Sequence, residues 1–139
     1  MDLTNMTREI SPKKVQKDAE EAFRGGYFCS EAVMDAVRKN FGLNVSDDVI
    51  AMASGMAVGA GRSGCMCGAL NGGILALSLF FGRTEPNGPK DPKVNKCMEL
   101  THELHDWFKE NNGKKAVCYR AIRRESGMYV ELWRHFYWC

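Results

Sequence analysis

Apolar residues recur every three or four positions along most of the chain, a spacing that predicts amphipathic helices. In the longest such segment the alternating three- and four-residue steps are typical of helices packed in a bundle. No segment has the period-two alternation of a half-buried strand. The apolar seam of the longest segment consists of Val94, Cys97, Thr101, Leu104 and Phe108. The pattern predicts helices over residues 12–24, 29–41, 46–54, 74–81, 92–112, 114–124 and 128–139.

Residues that favour helix ends support these boundaries. Ser11 followed by Pro12 suits a helix start, because serine is a preferred N-cap and proline fits the first helical position. Asp91 before Pro92 repeats this arrangement, and Gly113 suits a helix end. The chain has no internal repeat and no linker long enough to divide it. The sequence therefore predicts one all-α domain over residues 1–139, a compact bundle of five to seven helices.

Glycine is concentrated between residues 55 and 73, where it occupies seven positions. Such a density indicates a backbone that adopts positive φ angles or is approached very closely by other groups. The segment that follows, residues 74–81, is apolar on every side, which predicts a helix buried in the middle of the bundle. We therefore expect a glycine-rich loop that leads into a buried central helix.

Charge and composition exclude several classes of function. The formal net charge is only +2 and the basic residues are dispersed, which argues against a nucleic-acid-binding protein. The N-terminus has no apolar segment of signal-peptide length. The most apolar stretch, residues 65–81, is shorter than the roughly 20 residues that span a membrane. We expect a cytoplasmic protein with no membrane span and no nucleic-acid partner.

The cysteine content changes this picture, because six cysteines are many for an intracellular chain of 139 residues. Cytosolic thiols are normally kept reduced, so a structural disulfide framework is not expected. The alternatives are redox chemistry, a metal or Fe–S site, or simple burial as small hydrophobic residues. The cysteines are Cys29, Cys65, Cys67, Cys97, Cys118 and Cys139.

Cys67 has the most informative surroundings. It lies with Cys65 between glycines, where the loop enters the predicted buried helix. The free N–H groups and the dipole of a helix N-terminus stabilise an anion, and the thiolate is the form of cysteine that acts as nucleophile or metal ligand. Small residues such as Gly68 and Gly72 would let a helix, a cluster or a substrate approach the backbone. The alternative is a tight helix crossing in which Cys67 is merely small.

The order of these motifs resembles the C_GCAxxG_C_C family. The resemblance extends over about residues 20–125 and rests on Cys29, the glycine-rich run, residues 67–72 (CGALNG) and Cys118, with Cys139 as the last family cysteine. It implies a redox-active protein, and a similar domain in split-Soret cytochromes is associated with a [2Fe–2S] cluster. Cys65 and Cys97 are additional to the family set.

Three hypotheses of function follow. In the first, Cys67 is a reactive thiolate that exchanges with Cys29 or Cys118 and serves a redox partner protein. In the second, the family set forms a module that binds an Fe–S cluster, or zinc as a weaker choice, without catalytic turnover. In the third, the chain is a helical interaction protein with structural cysteines. The cofactor or metal ligands of the second hypothesis are Cys29, Cys67, Cys118 and Cys139, with Gly68 at the site.

Two other features are weaker signals. His102 and His105 are three positions apart, whereas the zincin motif needs histidines four apart, so solvated or capping roles are favoured. The last segment of the chain holds more aromatic residues than one buried face needs, which fits either a closing core helix or a homodimer contact. These aromatic residues are Trp133, Phe136, Tyr137 and Trp138.

Overall fold

A computed structural model of the chain describes residues 10–113 and residue 117. This part is helical and contains no strand, which confirms the all-α prediction. The elements are α1 (Pro12–Arg24), α2 (Cys29–Asn40), α3 (Asp48–Ser54), α4 (Ala57–Ala60), α5 (Gly68–Phe81) and α6 (Pro92–Asn112). Five of these six helical elements are longer than one turn, and the single-turn element α4 lies between α3 and α5.

The predicted boundary residues perform the expected roles. Pro12 and Pro92 occupy the first positions of α1 and α6. The carboxylate of Asp91 accepts a hydrogen bond of 2.8 Å from the backbone N–H of Lys93, which satisfies one of the unpaired donors at the start of α6. Gly113 follows α6 with a φ of 83°. The start and end predicted for the longest helix are thus confirmed.

Helix α5 is the central element, since it packs against α2, α3, α4 and α6. Its contact with α2 is very close at Gly72, where a Cβ atom would lie 2.9 Å from the carbonyl oxygen of Ser30 and 3.0 Å from the Cβ of Val33. The buried hydroxyl of Ser30 in turn donates a 2.8 Å hydrogen bond to the carbonyl of Ala53, which joins α2 to α3. The expected close approach at this glycine is confirmed.

The interpretation of residues 74–81 is correct about the helix and wrong about its complete burial. Helix α5 begins at Gly68 and not at the predicted residue 74, and its fully buried residues are confined to the first two and a half turns, ending at Ala76. Beyond Ala76, one side of the helix faces an apolar groove of about 640 Å³ between α2, α5 and α6. Leu77 and Phe80 line this groove and are only half-buried, so the apolar pattern alone overestimates the packing.

The seam predicted on α6 faces the bundle. Cys97 is buried, and the other four seam residues are half-buried. The helices predicted over residues 114–124 and 128–139 lie outside the described residues, apart from the helical residue Val117. None of the described helices combines the length and the apolar character needed to cross a bilayer.

Candidate functional site

Cys67 is the N-cap residue of α5, as the sequence predicts. Its carbonyl accepts a 2.9 Å hydrogen bond from the backbone N–H of Asn71, the first full bond of the helix. Its side chain is completely buried. Cys67 therefore lies at the N-terminus of α5, where the helix has free backbone N–H groups and the positive end of its dipole.

Cys29 is the first residue of α2, and its thiol is free and 1% exposed. Its sulfur lies against the first residue of α5, since a Cβ atom on Gly68 would be only 2.2 Å from the Cys29 Sγ. Only a glycine leaves room for this contact. The starts of two helices therefore meet at the Cys29 sulfur, beside the residue that follows Cys67 in the chain.

Glu31 fixes the start of α2 at this point. Its carboxylate accepts a 2.8 Å hydrogen bond from the backbone N–H of Phe28, the N-cap of α2. The other carboxylate oxygen accepts a hydrogen bond from the hydroxyl of Ser54, the last residue of α3. The position of Cys29 is thus determined by a capping interaction and by the junction of two helices.

The cysteines of the described part differ in oxidation state. Cys65 and Cys67 are disulfide-bonded, whereas Cys29 and Cys97 are free thiols. They also differ in accessibility, because Cys65 is exposed while the other three are buried. Oxidised sulfur and a buried free thiol thus lie at the same end of α5.

Val117 lies against Cys67. Its carbonyl accepts a 3.1 Å hydrogen bond from the backbone N–H of Cys67, and its side chain packs with Cys67 and Leu70. Val117 immediately precedes Cys118 in the sequence. Cys118 and Cys139 themselves lie outside the described residues, so their predicted roles stay predictions.

The glycine-rich loop contains a left-handed turn. Five consecutive residues have positive φ angles: 52° at Val58, 64° at Gly59, 53° at Ala60, 64° at Gly61 and 68° at Arg62. Two hydrogen bonds within the turn join residues four positions apart. The Ala60 N–H donates to the Met56 carbonyl at 3.4 Å, and the Gly61 N–H donates to the Ala57 carbonyl at 3.0 Å. A left-handed conformation costs about 1–2 kcal/mol for each residue that has a Cβ atom. The glycines were predicted to need such angles, and the three other residues were not.

This turn covers the start of α5. A Cβ atom on Gly68 would meet the Cα of Ala57 and the backbone nitrogen of Val58, each at 3.2 Å, in addition to the Cys29 sulfur. On its other side the turn contacts Cys65, because a Cβ atom on Gly59 would lie 2.5 Å from the backbone nitrogen of Cys65. The turn therefore lies between exposed Cys65 and buried Cys29.

Asn71 closes the base of this loop. It is buried, and its side-chain amide donates hydrogen bonds to the carbonyls of Met56, at 3.2 Å, and Met66, at 3.1 Å. These two carbonyls stand at the two ends of the loop, so one side chain joins both ends to α5. Sequence reasoning did not assign a role to Asn71, although an amide within an apolar helix is a signal that it needs buried partners.

Metal-binding residues are not grouped within residues 10–113 and 117, where no three His, Cys, Asp or Glu side chains are close enough to hold an ion. His102 and His105 both contact Asp106, at 3.3 Å and 3.1 Å respectively. The hydrogen bond with His105 is the main reason that the pKa of Asp106 is below its usual value. The two histidines thus have the local polar role that their spacing favours.

Cys97 lies away from the other cysteines. Its sulfur is 3.7 Å from the hydroxyl oxygen of Ser78. Ser78 follows Gly68 by ten residues in α5, which is roughly 15 Å along a helix axis. The structure therefore separates this thiol from Cys29 and Cys67, in agreement with its place outside the predicted set.

A family model described as "Putative redox-active protein (C_GCAxxG_C_C)" matches residues 27–133, well over half of the chain. The chain belongs to the C_GCAxxG_C_C family. The resemblance seen in the sequence is thereby confirmed, and the match includes Cys29, the glycine-rich loop, Cys67 and Cys118. No curated protein and no solved structure has significant similarity to this family member.

Proposed function

We propose that this C_GCAxxG_C_C protein is a thiol–disulfide redox protein centred on Cys67. The observation that supports this function best is the contact between the free Cys29 sulfur and Gly68, the residue next to disulfide-bonded Cys67. A free thiol beside an oxidised cysteine is the arrangement that thiol–disulfide exchange requires. The redox-active description of the family agrees with it.

The exchange balances without any further component. The thiolate of Cys29 attacks the Cys67 sulfur, a Cys29–Cys67 disulfide forms, and the earlier partner of Cys67 leaves as a thiolate that takes up the proton lost by Cys29. Net reduction needs two electrons from a dithiol donor, which becomes a disulfide. We therefore expect a partner protein with an exposed dithiol, in a reducing compartment such as the cytoplasm.

Cys118 is the cysteine that we propose to exchange with this pair. The support comes from its sequence neighbour Val117, whose carbonyl is hydrogen-bonded to the Cys67 backbone. A chain held at Val117 leaves Cys118 one peptide bond from that contact. Cys118 is accordingly the first candidate for the resolving cysteine.

The second candidate function is binding of an Fe–S cluster by Cys29, Cys67, Cys118 and Cys139. The burial of Cys29 and Cys67 at one helix end favours it, because buried thiolates from converging helix ends suit a cluster. Two of its four ligands belong to the described residues, and cluster binding would require both to be reduced thiolates. Four thiolates would also suit zinc.

One purification separates the two candidates. The full chain is purified anaerobically as wild type, Cys67→Ser and Cys97→Ser, and each protein is analysed by visible spectroscopy, iron, zinc and sulfide content, and thiol titration with and without dithiol reductant. For thiol exchange we expect colourless, metal-free protein that gains at least two reactive thiols on reduction. Cys67→Ser should gain fewer thiols on reduction than the wild type, because the disulfide of Cys67 is absent while Cys65 can still be reduced, and Cys97→Ser should gain as many as the wild type. Stoichiometric iron and sulfide that disappear in Cys67→Ser would contradict the thiol mechanism and establish the cluster.

A further inference from the structure

The two central sulfur atoms, the free thiol of Cys29 and the disulfide sulfur of Cys67, are inaccessible in this conformation. Cys29 and Cys67 have 1% and 0% of their surfaces exposed, so a reductant in solution cannot approach their sulfur atoms. Exchange requires direct contact between the attacking thiolate and a disulfide sulfur. Some part of the fold must therefore move before an external thiol can reach either sulfur.

The segment that lies over the Cys29 side of the site is residues 57–65, here called the lid loop. Ala57 and Val58 contact the start of α5 at the point where the Cys29 sulfur lies. Cys65, at the far end of the lid loop, is exposed and disulfide-bonded. The lid loop thus joins exposed Cys65 to the cover over buried Cys29.

We propose that Cys65 is the first cysteine to react with an external thiol and that opening of its disulfide releases the lid loop from Cys29. The proposal rests on the thiol–disulfide function proposed above. It gives a role to a cysteine that is additional to the family set.

The first step balances as follows. The thiolate of an external monothiol attacks the exposed Cys65 sulfur, the disulfide bond of Cys65 breaks, and its partner cysteine leaves as a thiolate. Cys65 then holds a mixed disulfide with the external thiol. A second monothiol attacks that mixed disulfide, so Cys65 becomes a thiol and the two external molecules leave as their oxidised dimer. Two electrons pass to the protein.

The geometry of the lid loop explains why it would move. Val58, Ala60 and Arg62 are held in left-handed conformations that residues with a Cβ atom rarely adopt. The turn packs on the backbone of Cys65, and the Gly64 N–H donates a 3.1 Å hydrogen bond to the Gly59 carbonyl. Once the covalent tie at Cys65 is lost, these residues can return to ordinary backbone angles.

Hydrogen bonds on both sides of the lid loop limit how far it can open. Asn71 binds the carbonyls of Met56 and Met66, which flank the lid loop on both sides. The donor of both bonds is the buried side chain of Asn71 in α5, and neither bond involves the Cys65 sulfur. We therefore expect the lid loop to open between two fixed ends, with α3 and α5 unchanged.

Limited reduction with glutathione tests the order of events. Oxidised full-length protein is exposed to reduced glutathione for short times and quenched with acid, and the adducts are mapped by mass spectrometry. Parallel samples are pulsed with iodoacetamide to measure labelling of Cys29, and with trypsin to measure cleavage after Arg62. We expect the first adduct on Cys65, followed by at least ten-fold faster labelling of Cys29 and cleavage after Arg62. Cleavage after Arg83, in an exposed loop outside the site, is the internal control and should not change.

Two variants make the result decisive. Cys65→Ser should form no early adduct and should show fast Cys29 labelling without reductant. Ala60→Gly removes strain at an exposed position, so its Cys29 labelling after reduction should be slower than that of the wild type. A first adduct on Cys67, or unchanged Cys29 and Arg62 reactivity after reduction, would overturn the lid proposal while leaving thiol exchange intact. Failure of any dithiol to reduce the protein would overturn both proposals.

Discussion

The Cys29 sulfur occupies the space in which a side chain on residue 68 would begin, since a Cβ atom at Gly68 would lie 2.2 Å from it. We therefore expect Gly68→Ala to destabilise the protein by about 1–3 kcal/mol, the usual cost of overpacking a buried site. Urea unfolding of reduced wild type and variant measures this difference.

Gly55→Ala is the matched control, because nothing lies within 4 Å of a Cβ atom at that position and its φ angle is negative. It should change stability by less than about 0.5 kcal/mol, as an ordinary surface substitution does. The double variant Cys29→Ala with Gly68→Ala should recover part of the loss. Equal stability of the two glycine variants would show that the sulfur is not in contact with residue 68.

Asn71 is expected to maintain the lid loop through its two hydrogen bonds. Asn71→Leu has a similar volume but leaves the carbonyls of Met56 and Met66 without this donor, which should cost about 1–3 kcal/mol for each carbonyl that stays buried. Asn111→Ala, which removes an exposed amide bonded to the Trp107 carbonyl, is the control and should have little effect. Hydrogen exchange should locate the change in residues 56–66, and protection there equal to that of the wild type would contradict the assignment.

The same substitution should have opposite effects at two exposed alanines. Ala60 has a φ angle of 53°, so Ala60→Gly should stabilise the protein by about 1 kcal/mol. Ala51 lies in right-handed α3, so Ala51→Gly should destabilise it by about 0.5–1 kcal/mol. Thermal unfolding of the wild type and the two variants under oxidising conditions measures whether each substitution raises or lowers the stability. Destabilisation by both substitutions would mean that residue 60 is not left-handed in solution.

Asp91 should contribute to acid sensitivity. The hydrogen bond from the Lys93 backbone N–H is the main cause that lowers the pKa of this carboxyl in the folded protein. A lowered folded pKa gives stability that is complete above the unfolded value of about 4 and is lost as the pH falls through the folded value. The stability advantage of wild type over Asp91→Asn should therefore shrink between about pH 5 and pH 2. Parallel pH profiles in urea unfolding would contradict this expectation.

Much of the fold follows from local signals in the sequence. Pro12, Pro92 and Gly113 mark helix ends because their backbone chemistry acts within one turn. The position of Cys67 at the start of α5 was predictable for the same reason, since a glycine-rich loop there meets a long apolar run. These features need no knowledge of what packs against them.

The contacts that build the site depend on distant residues and could not be predicted in this way. The identity of Val58 gives no indication of a left-handed angle, because β-branched residues avoid it and only the surrounding packing can impose it. The contact of Cys29 with Gly68 joins two segments about forty residues apart, and the sequence supplies both partners without pairing them. The partial exposure of α5 likewise depends on how α2 and α6 flank it.

The two buried free thiols among the described residues should differ in function although both are reduced. Cys97 contacts Ser78 at the far end of α5, whereas Cys29 contacts Gly68 at its start. Cys97→Ala should therefore leave the number of thiols gained on reduction unchanged, with a stability loss of roughly 1 kcal/mol from the small cavity. Cys29→Ala should slow or abolish exchange at Cys67, because the neighbouring thiol is missing. Stopped-flow measurement of reduction by a dithiol compares the variants directly, and equal rates for both would place the exchanging thiol elsewhere in the chain.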